Sequence, residues 1–317
     1  MKPKNCLIFG ASGQIGRNLI RKLTKNNYKV TAVTRNLHRR GYILKTQANP
    51  GYIDLIESSI YDEKKIMPLI KNADVCINLV GILYEKGKGN TFENIHEKFP
   101  FFLAKLCQEY KVGQFIHLSA LGIEQALDSY YAKSKFNGEK LIKENYKTAT
   151  ILRPSVVYSV DDNFTTNFMT ILKRLPIFPL FYKGETKFTP IHCSDLTEII
   201  FQIIHQNINS KIIECIGPEV ITLKEILRRL LFIIGKKNFL IPIPFLVAKF
   251  TCTLFELLPK PLITKDQLLL LKYDNVASGK YKTNFDLNLS SYADFNIEVS
   301  KYAFMWKEQG QFAKKKN

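Results

Sequence analysis

Gly10-Ala11-Ser12-Gly13-Gln14-Ile15-Gly16-Arg17 is the stretch that decides the fold. It follows Cys6-Leu7-Ile8-Phe9, an apolar run of strand length, and opens a run over 15–25 with helical spacing. Strand, glycine-rich turn and helix, in that order, suit the grip of a parallel sheet on a pyrophosphate. Small residues let the backbone turn tightly and approach the phosphates. The helix start then supplies free N–H groups and the positive end of its dipole. The spacing is GxxGxxG rather than GxGxxG, and no Gly-Lys-Ser/Thr follows, so a P-loop is excluded.

Outward from this turn, further strands are predicted over 29–34, 51–56, 75–80, 114–118 and 148–152, near-continuously apolar as in a sheet covered on both faces. Helices are predicted between them over 63–70, 93–110 and 132–144. The alternation argues for an α/β, doubly wound parallel sheet of the Rossmann type. After Arg153-Pro154 the rhythm changes, with helices expected over 164–174, 195–206 and 222–234 and a strand at 211–216. The expected organisation is a dinucleotide-binding domain over 1–155 and a smaller, mostly helical C-terminal domain over 156–317. Segment 187–216 is expected to return to the first domain.

Composition fits a globular chain: 317 residues, 46% hydrophobic, 23% charged. The net charge of +18 favours anionic partners: a phosphate-bearing cofactor, nucleic acid or an anionic membrane face. Lys outnumbers Arg 37 to 9, the excess is spread along the chain apart from Lys314-Lys315-Lys316, and no aromatic–basic motif occurs. Nucleic-acid binding is therefore not expected. The six cysteines form no CxxC pair and most sit in apolar runs, which predicts reduced, buried thiols. The histidines are scattered, and no metal site is expected. The expected location is cytoplasmic, since a strand starts within the first residues and no run is long enough to span a bilayer.

The end of the second strand separates NAD from NADP. An NAD site usually carries an acid there for the ribose 2′-hydroxyl. This chain has Thr34-Arg35, and Arg35, with help from Arg17 and Arg39-Arg40, suits a 2′-phosphate. NADP(H) is the expected cofactor, with NAD(H) the second choice. Cofactor contacts are expected from Gly10 through Arg17, from Thr34 and Arg35, from Leu79-Val80-Gly81 after the fourth strand, and from Tyr131, Lys135 and Pro154.

Ser119 ends the fifth strand, on the edge that faces the ligand crevice. Tyr131 and Lys135 are four apart and share one face of the next helix. The ammonium is expected to lower the tyrosine pKa. Tyr131 would then exchange a proton with a carbonyl or hydroxyl, Ser119 would bond the same oxygen, and Lys135 would also hold the ribose. Tyr-xxx-Lys occurs also at Tyr61/Lys65 and Tyr84/Lys88; position after strand five selects Tyr131. His192 is expected just before a helix capped by Ser194 or Asp195.

These motifs together resemble the short-chain dehydrogenase/reductase superfamily, in its extended or atypical branch, over nearly the whole chain. Ile77–Leu83, Arg153–Tyr158 with Asp162-Asn163-Phe164, and Pro261-Leu-Ile-Thr-Lys-Asp-Gln267 with Asp274-Asn275-Val276 are similar to a narrower group. That group comprises the dehydrogenase-like accessory subunit of respiratory complex I and its bacterial relatives. The resemblance implies tightly held NADPH, association with complex I subunits or the inner face of an energy-transducing membrane, and proximity to quinone (ubiquinone) chemistry. It implies a structural cofactor in the mitochondrial subunit; this chain departs from that by keeping Ser119, Tyr131 and Lys135, which make it a candidate reductase. Two alternatives remain: a soluble sugar-nucleotide epimerase or dehydratase, and a non-catalytic assembly subunit with structural NADPH. Pro242 and Pro244 and then Pro259 and Pro261 bracket an apolar stretch that reads either as a core helix or as an amphipathic docking surface for membrane subunits or anionic lipid.

Overall fold

Eight parallel strands carry the molecule, in the spatial order 282–283, 212–215, 150–154, 114–118, 75–78, 5–9, 29–34 and 53–57. The computed structural model describes residues 3–256, 263–289, 291–308 and 310. Its first half runs β1 (Asn5–Phe9), α1 (Gln14–Lys25), β2 (Lys29–Thr34), α2 (Leu37–Lys45), β3 (Ile53–Glu57), α3 (Glu63–Lys71), β4 (Val75–Asn78), a π-helical turn (Glu93–Lys98), α4 (Phe99–Glu109), β5 (Gln114–Leu118), α5 (Tyr130–Asn145) and β6 (Thr150–Pro154). The second half runs β7 (Val157–Tyr158), α6 (Thr165–Arg174), β8 (Ile177–Leu180), β9 (Lys187–Phe188), β10 (Ile191–His192), α7 (Cys193–His205), β11 (Ile212–Cys215), β12 (Ile221–Thr222), α8 (Leu223–Ile234), β13 (Phe239–Pro242), α9 (Phe245–Glu256), α10 (Lys265–Leu270), β14 (Lys282–Thr283) and α11 (Phe295–Tyr302).

Both sheet faces are covered, which is why the strands lack alternation. On one face Leu19, Ile20 and Leu23 of α1 pack with Leu196, Ile199, Ile200 and Ile203 of α7. On the other, Ile66, Leu103, Cys107 and Ile142 of α3, α4 and α5 cover Leu7, Cys76 and Phe115. The chain returns to the sheet twice after β6, through β11 beside β6 and β14 beside β11. A separate core of α6, α8 and α11, with Met169, Leu227 and Val299, builds the C-terminal region. All six cysteines are free and buried. Among the described residues no helix is long and apolar enough to cross a membrane.

Two local expectations are corrected and one helix is added. The helix predicted over 93–110 starts as a π turn, so its first residues are wider than an α-helix. Leu37–Lys45 forms a helix that its weak periodicity did not announce, capped by the Asn36 side chain. His192 itself caps α7, its ring accepting from the Ser194 amide, while Asp195 bonds Ser291 and the Ala293 amide instead. Pro259, Pro261, Leu258 and the Lys314–Lys316 run lie outside the described residues, as does the Phe255 side chain.

Candidate functional site

The strands end at one edge, and the site is built there. Gly10 follows β1 with φ +80°, and a Cβ on it would lie 3.0 Å from the Leu79 carbonyl carbon after β4. The Gly13 amide closes the turn on the Gly10 carbonyl at 3.0 Å. A Cβ on Gly16 would stand 2.5 Å from the Ala11 carbonyl oxygen, so only glycine lets α1 start this close to the strand. No side chain caps α1 and its first turn has no acid. Its N–H groups and dipole thus face the crevice without a protein anion to neutralise them. This cradle fits a dinucleotide pyrophosphate.

Thr34 Oγ1 donates to Ser12 Oγ at 3.2 Å and ties the end of β2 to the turn. Arg35 is exposed and donates to Asn90 Oδ1 at 2.8 Å. Arg17 turns the other way, to the Ser12 carbonyl and to an ion pair with Asp161. Gln14 reaches the same loop through Ser159 Oγ at 2.7 Å. The loop after β7 therefore closes over the start of α1.

Lys135 reaches the end of β5, where His117 and Ser119 lie, and His96 meets the ring of Tyr131; the sequence reading passed over both histidines. Among the described residues, buried side-chain oxygen and nitrogen atoms without a hydrogen-bond partner are Ser119 Oγ, His117 Nε2 and Gln114 Oε1. Two of the three thus lie at this site, where buried polar groups are otherwise paired. Lys135 is buried and donates to the Leu118 carbonyl at 3.0 Å. Burial lowers its pKa to about 8, with Glu139 acting in the opposite direction. A Cβ on Gly81 would sit 3.4 Å from Lys135 Nζ and 3.8 Å from His96 Nε2. The end of β4, the π turn and α5 therefore meet at one point.

His96 is held on both nitrogens, by Ser134 Oγ at 2.9 Å and the Ile82 amide at 3.2 Å, and its ring meets Tyr131 edge-on at 5.3 Å. His117 bonds Asn78 Nδ2 at 3.1 Å. Burial first, then the Lys135 charge, keeps both imidazoles neutral, His96 down to about 2. The expected drop in the Tyr131 pKa is reversed. Burial, then the Asp266 carboxylate, pushes this phenol up to about 12, and Lys135 spends its proton on a backbone carbonyl.

Behind the site, Arg153 at the end of β6 bonds Glu139 of α5 through Nε at 2.9 Å, and also Glu124 at 2.8 Å. Tyr281 stacks on its guanidinium, 4.6 Å away, and donates to Glu124 at 2.6 Å. Arg153→Met would strand the Glu139 carboxylate, which is 2% exposed. The expected cost is about 3 kcal/mol or more, read from urea unfolding; a loss below about 1 kcal/mol would show that the pair is not holding α5.

A family model described as NAD(P)H-binding matches residues 10–177. The chain is 29% identical over 221 residues to the mitochondrial NADH dehydrogenase [ubiquinone] 1 alpha subcomplex subunit 9 of Dictyostelium discoideum. That match takes in 69% of this chain and spans 61% of the relative. It is 24% identical to the mitochondrial NADH-ubiquinone oxidoreductase 40 kDa subunit of Neurospora crassa, over 89% of this chain and 74% of that one. In fold it is similar to UDP-glucuronic acid 4-epimerase from Bacillus cereus in complex with UDP-glucuronic acid and NAD. There the TM-score is 0.70 and the identity 18%, over 95% of this chain and 99% of that one.

Proposed function

Because the chain belongs to the NAD(P)H-binding family, and is of the short-chain dehydrogenase/reductase kind, we propose that it holds NADPH in preference to NADH as a reductase-like protein of quinone-linked respiratory metabolism. One observation carries the reading: Lys135 reaches the carbonyl of Leu118, next to the buried and unpartnered Ser119 hydroxyl, on the strand edge that also holds the glycine cradle. The turn from Gly10 to Gly16, Thr34, Arg35, Leu79-Val80-Gly81 and Pro154 would hold the cofactor, which would supply hydride chemistry when bound; Arg17, expected there from the sequence, is taken up by Asp161 instead. Tyr131 exchanges a proton at its phenolic oxygen, Ser119 donates to the substrate oxygen, and Lys135 holds a ribose hydroxyl. The NADPH preference rests on Arg35, exposed at the end of β2 where no acid stands.

Fluorescence titration should show NADPH binding more tightly than NADH, and Arg35→Asp should reduce that preference about tenfold. Equal affinities in the wild type would overturn it. Tyr131→Phe should leave NADPH affinity near wild type and lower turnover by about 10² or more. Full activity in that variant would remove the proton-transfer role. The high pKa of Tyr131 favours a second reading, a structural cofactor without turnover. It gains if quinones and carbonyl metabolites are not reduced while NADPH stays bound.

The partner reading is attachment to subunits of a ubiquinone-linked NADH dehydrogenase at an anionic membrane face. In α9, Ala248 and Cys252 turn inward on Phe181 and Leu268, while Phe245 and Leu246 are 45% and 78% exposed. Phe239 on neighbouring β13 is 72% exposed, and Arg174, Lys183, Lys237 and Lys249 are exposed in the same region of the chain. Apolar side chains with basic neighbours suit anionic lipid. The protein should sediment with anionic vesicles at low salt and be released at high salt, and Phe245→Glu with Leu246→Glu should weaken this about tenfold. Failure to bind anionic vesicles would remove the lipid contact.

A further inference from the structure

We propose that Asp266, on α10, is a positioning residue for Tyr131, its carboxylate fastening the first turn of α5 in place. The inference rests on Tyr131 being the proton-transfer residue.

An α-helix begins with N–H groups that no carbonyl of its own can reach. In α5 these are met from two sources. Ser129 caps the Ala132 amide at 3.2 Å, the local device that the sequence offers. The Tyr130 and Tyr131 amides go instead to Asp266, at 2.7 and 3.1 Å, and the Ser129 hydroxyl donates to the same carboxylate at 2.8 Å. Asp266 is 135 residues away in sequence from Tyr131. A carboxylate at this end of a helix is also favoured by the dipole.

The clamp is itself held. Thr264 and Gln267 form a reciprocal capping box at the start of α10. Leu268 packs with Ala248 and Cys252 of α9, and the Lys265 amide donates to Glu256 Oε1 at 2.7 Å. Asn275, a little further on, receives from Ser155 Oγ at 2.6 Å and donates to the Leu121 carbonyl at 2.9 Å, joining the ends of β5 and β6. The Thr-Lys-Asp-Gln and Asp-Asn-Val segments thus act together: one fixes the helix that carries Tyr131, the other the strand ends beside Ser119. Asp266 also opposes ionisation of the phenol by its charge, after burial the second cause of its high pKa. Among the described residues, His96 on the π turn meets the Tyr131 ring edge-on, and Lys135 lies one turn along α5 with its ammonium on the Leu118 carbonyl.

The test uses the full chain with Asp266→Asn, which keeps the shape and removes the charge. Amide hydrogen exchange at Tyr130, Tyr131 and Ala132 should accelerate about tenfold. The Tyr131 titration, followed by carbon-13 tyrosine NMR and assigned with Tyr131→Phe, should move down by about half a pH unit or more. Asp266→Glu should restore the titration. Asp266→Ser, which lacks the charge but keeps one acceptor, is read in the same way should the asparagine variant not fold. Faster exchange with an unmoved Tyr131 titration would make Asp266 an ordinary cap and overturn the inference, as would no change in either. NADPH titration of the wild type tests the cofactor reading independently.

Discussion

Replacing Gly138 by alanine is expected to cost about 4 kcal/mol or more, the range in which single substitutions unfold domains. A Cβ at Gly138 would stand 1.8 Å from the His96 carbonyl oxygen and 3.0 Å from its carbon. The obstacle is backbone, so no rotamer relieves it. Helix α5 would have to back away from the π turn, taking Tyr131 and Lys135 with it. Gly89→Ala is the control, since a Cβ there meets only the Tyr61 ring at 3.7 Å. Urea midpoints compared between the two variants check the claim. A Gly138→Ala protein within about 1 kcal/mol of Gly89→Ala would mean that the helices are not in this contact.

Acidification is the second large effect. The ordinary histidine value is 6.5; in the fold His96 is lowered to about 2 and His117 well below 6.5. As pH falls through 6.5 the unfolded chain takes up two protons that the folded chain refuses, so stability is complete above 6.5 and lost below it. His96 contributes about 1.4 kcal/mol per pH unit, about 2 kcal/mol at pH 5, and His117 adds to the loss in the same direction. His192 is lowered too, by burial, and acts in the same direction. Urea unfolding at pH 7, 6 and 5 should show the decline, and His96→Gln with His117→Asn should flatten it. An unchanged slope in the double variant would assign the acid sensitivity elsewhere.

His96 shows why part of the site was not legible in the sequence. Nothing local distinguishes it from a solvent-facing helical histidine. Its meaning comes from Gly138, 42 positions on, which lets α5 approach until the ring lies between Ser134, Ile82 and Tyr131. The Tyr131 pKa failed for a related reason. Four-residue spacing puts two side chains on one helix face, but it does not say that the ammonium will turn to the Leu118 carbonyl while a carboxylate from α10 stands at the helix start. Arg17 was legible as a cation beside the turn, whereas its pairing with Asp161 depends on a loop folded back from β7.

Sequence alone determined whatever nearest neighbours decide: the strands through β6 and the helices between them other than α2, the glycine turn that only small residues can make, the absence of an acid after β2, and a Tyr and Lys four apart on the helix after β5. These follow from periodicity and backbone sterics, which act over a few residues. Tertiary structure decided the protonation states, the π turn, the addition of β14 beyond β11 at the sheet edge, and the clamp of Asp266 on α5. Each of these depends on charges, carbonyls and apolar faces brought together from distant parts of the chain. Burial then sets how strongly they act, because a charge or an unpaired polar atom taken out of water costs far more than one left in it.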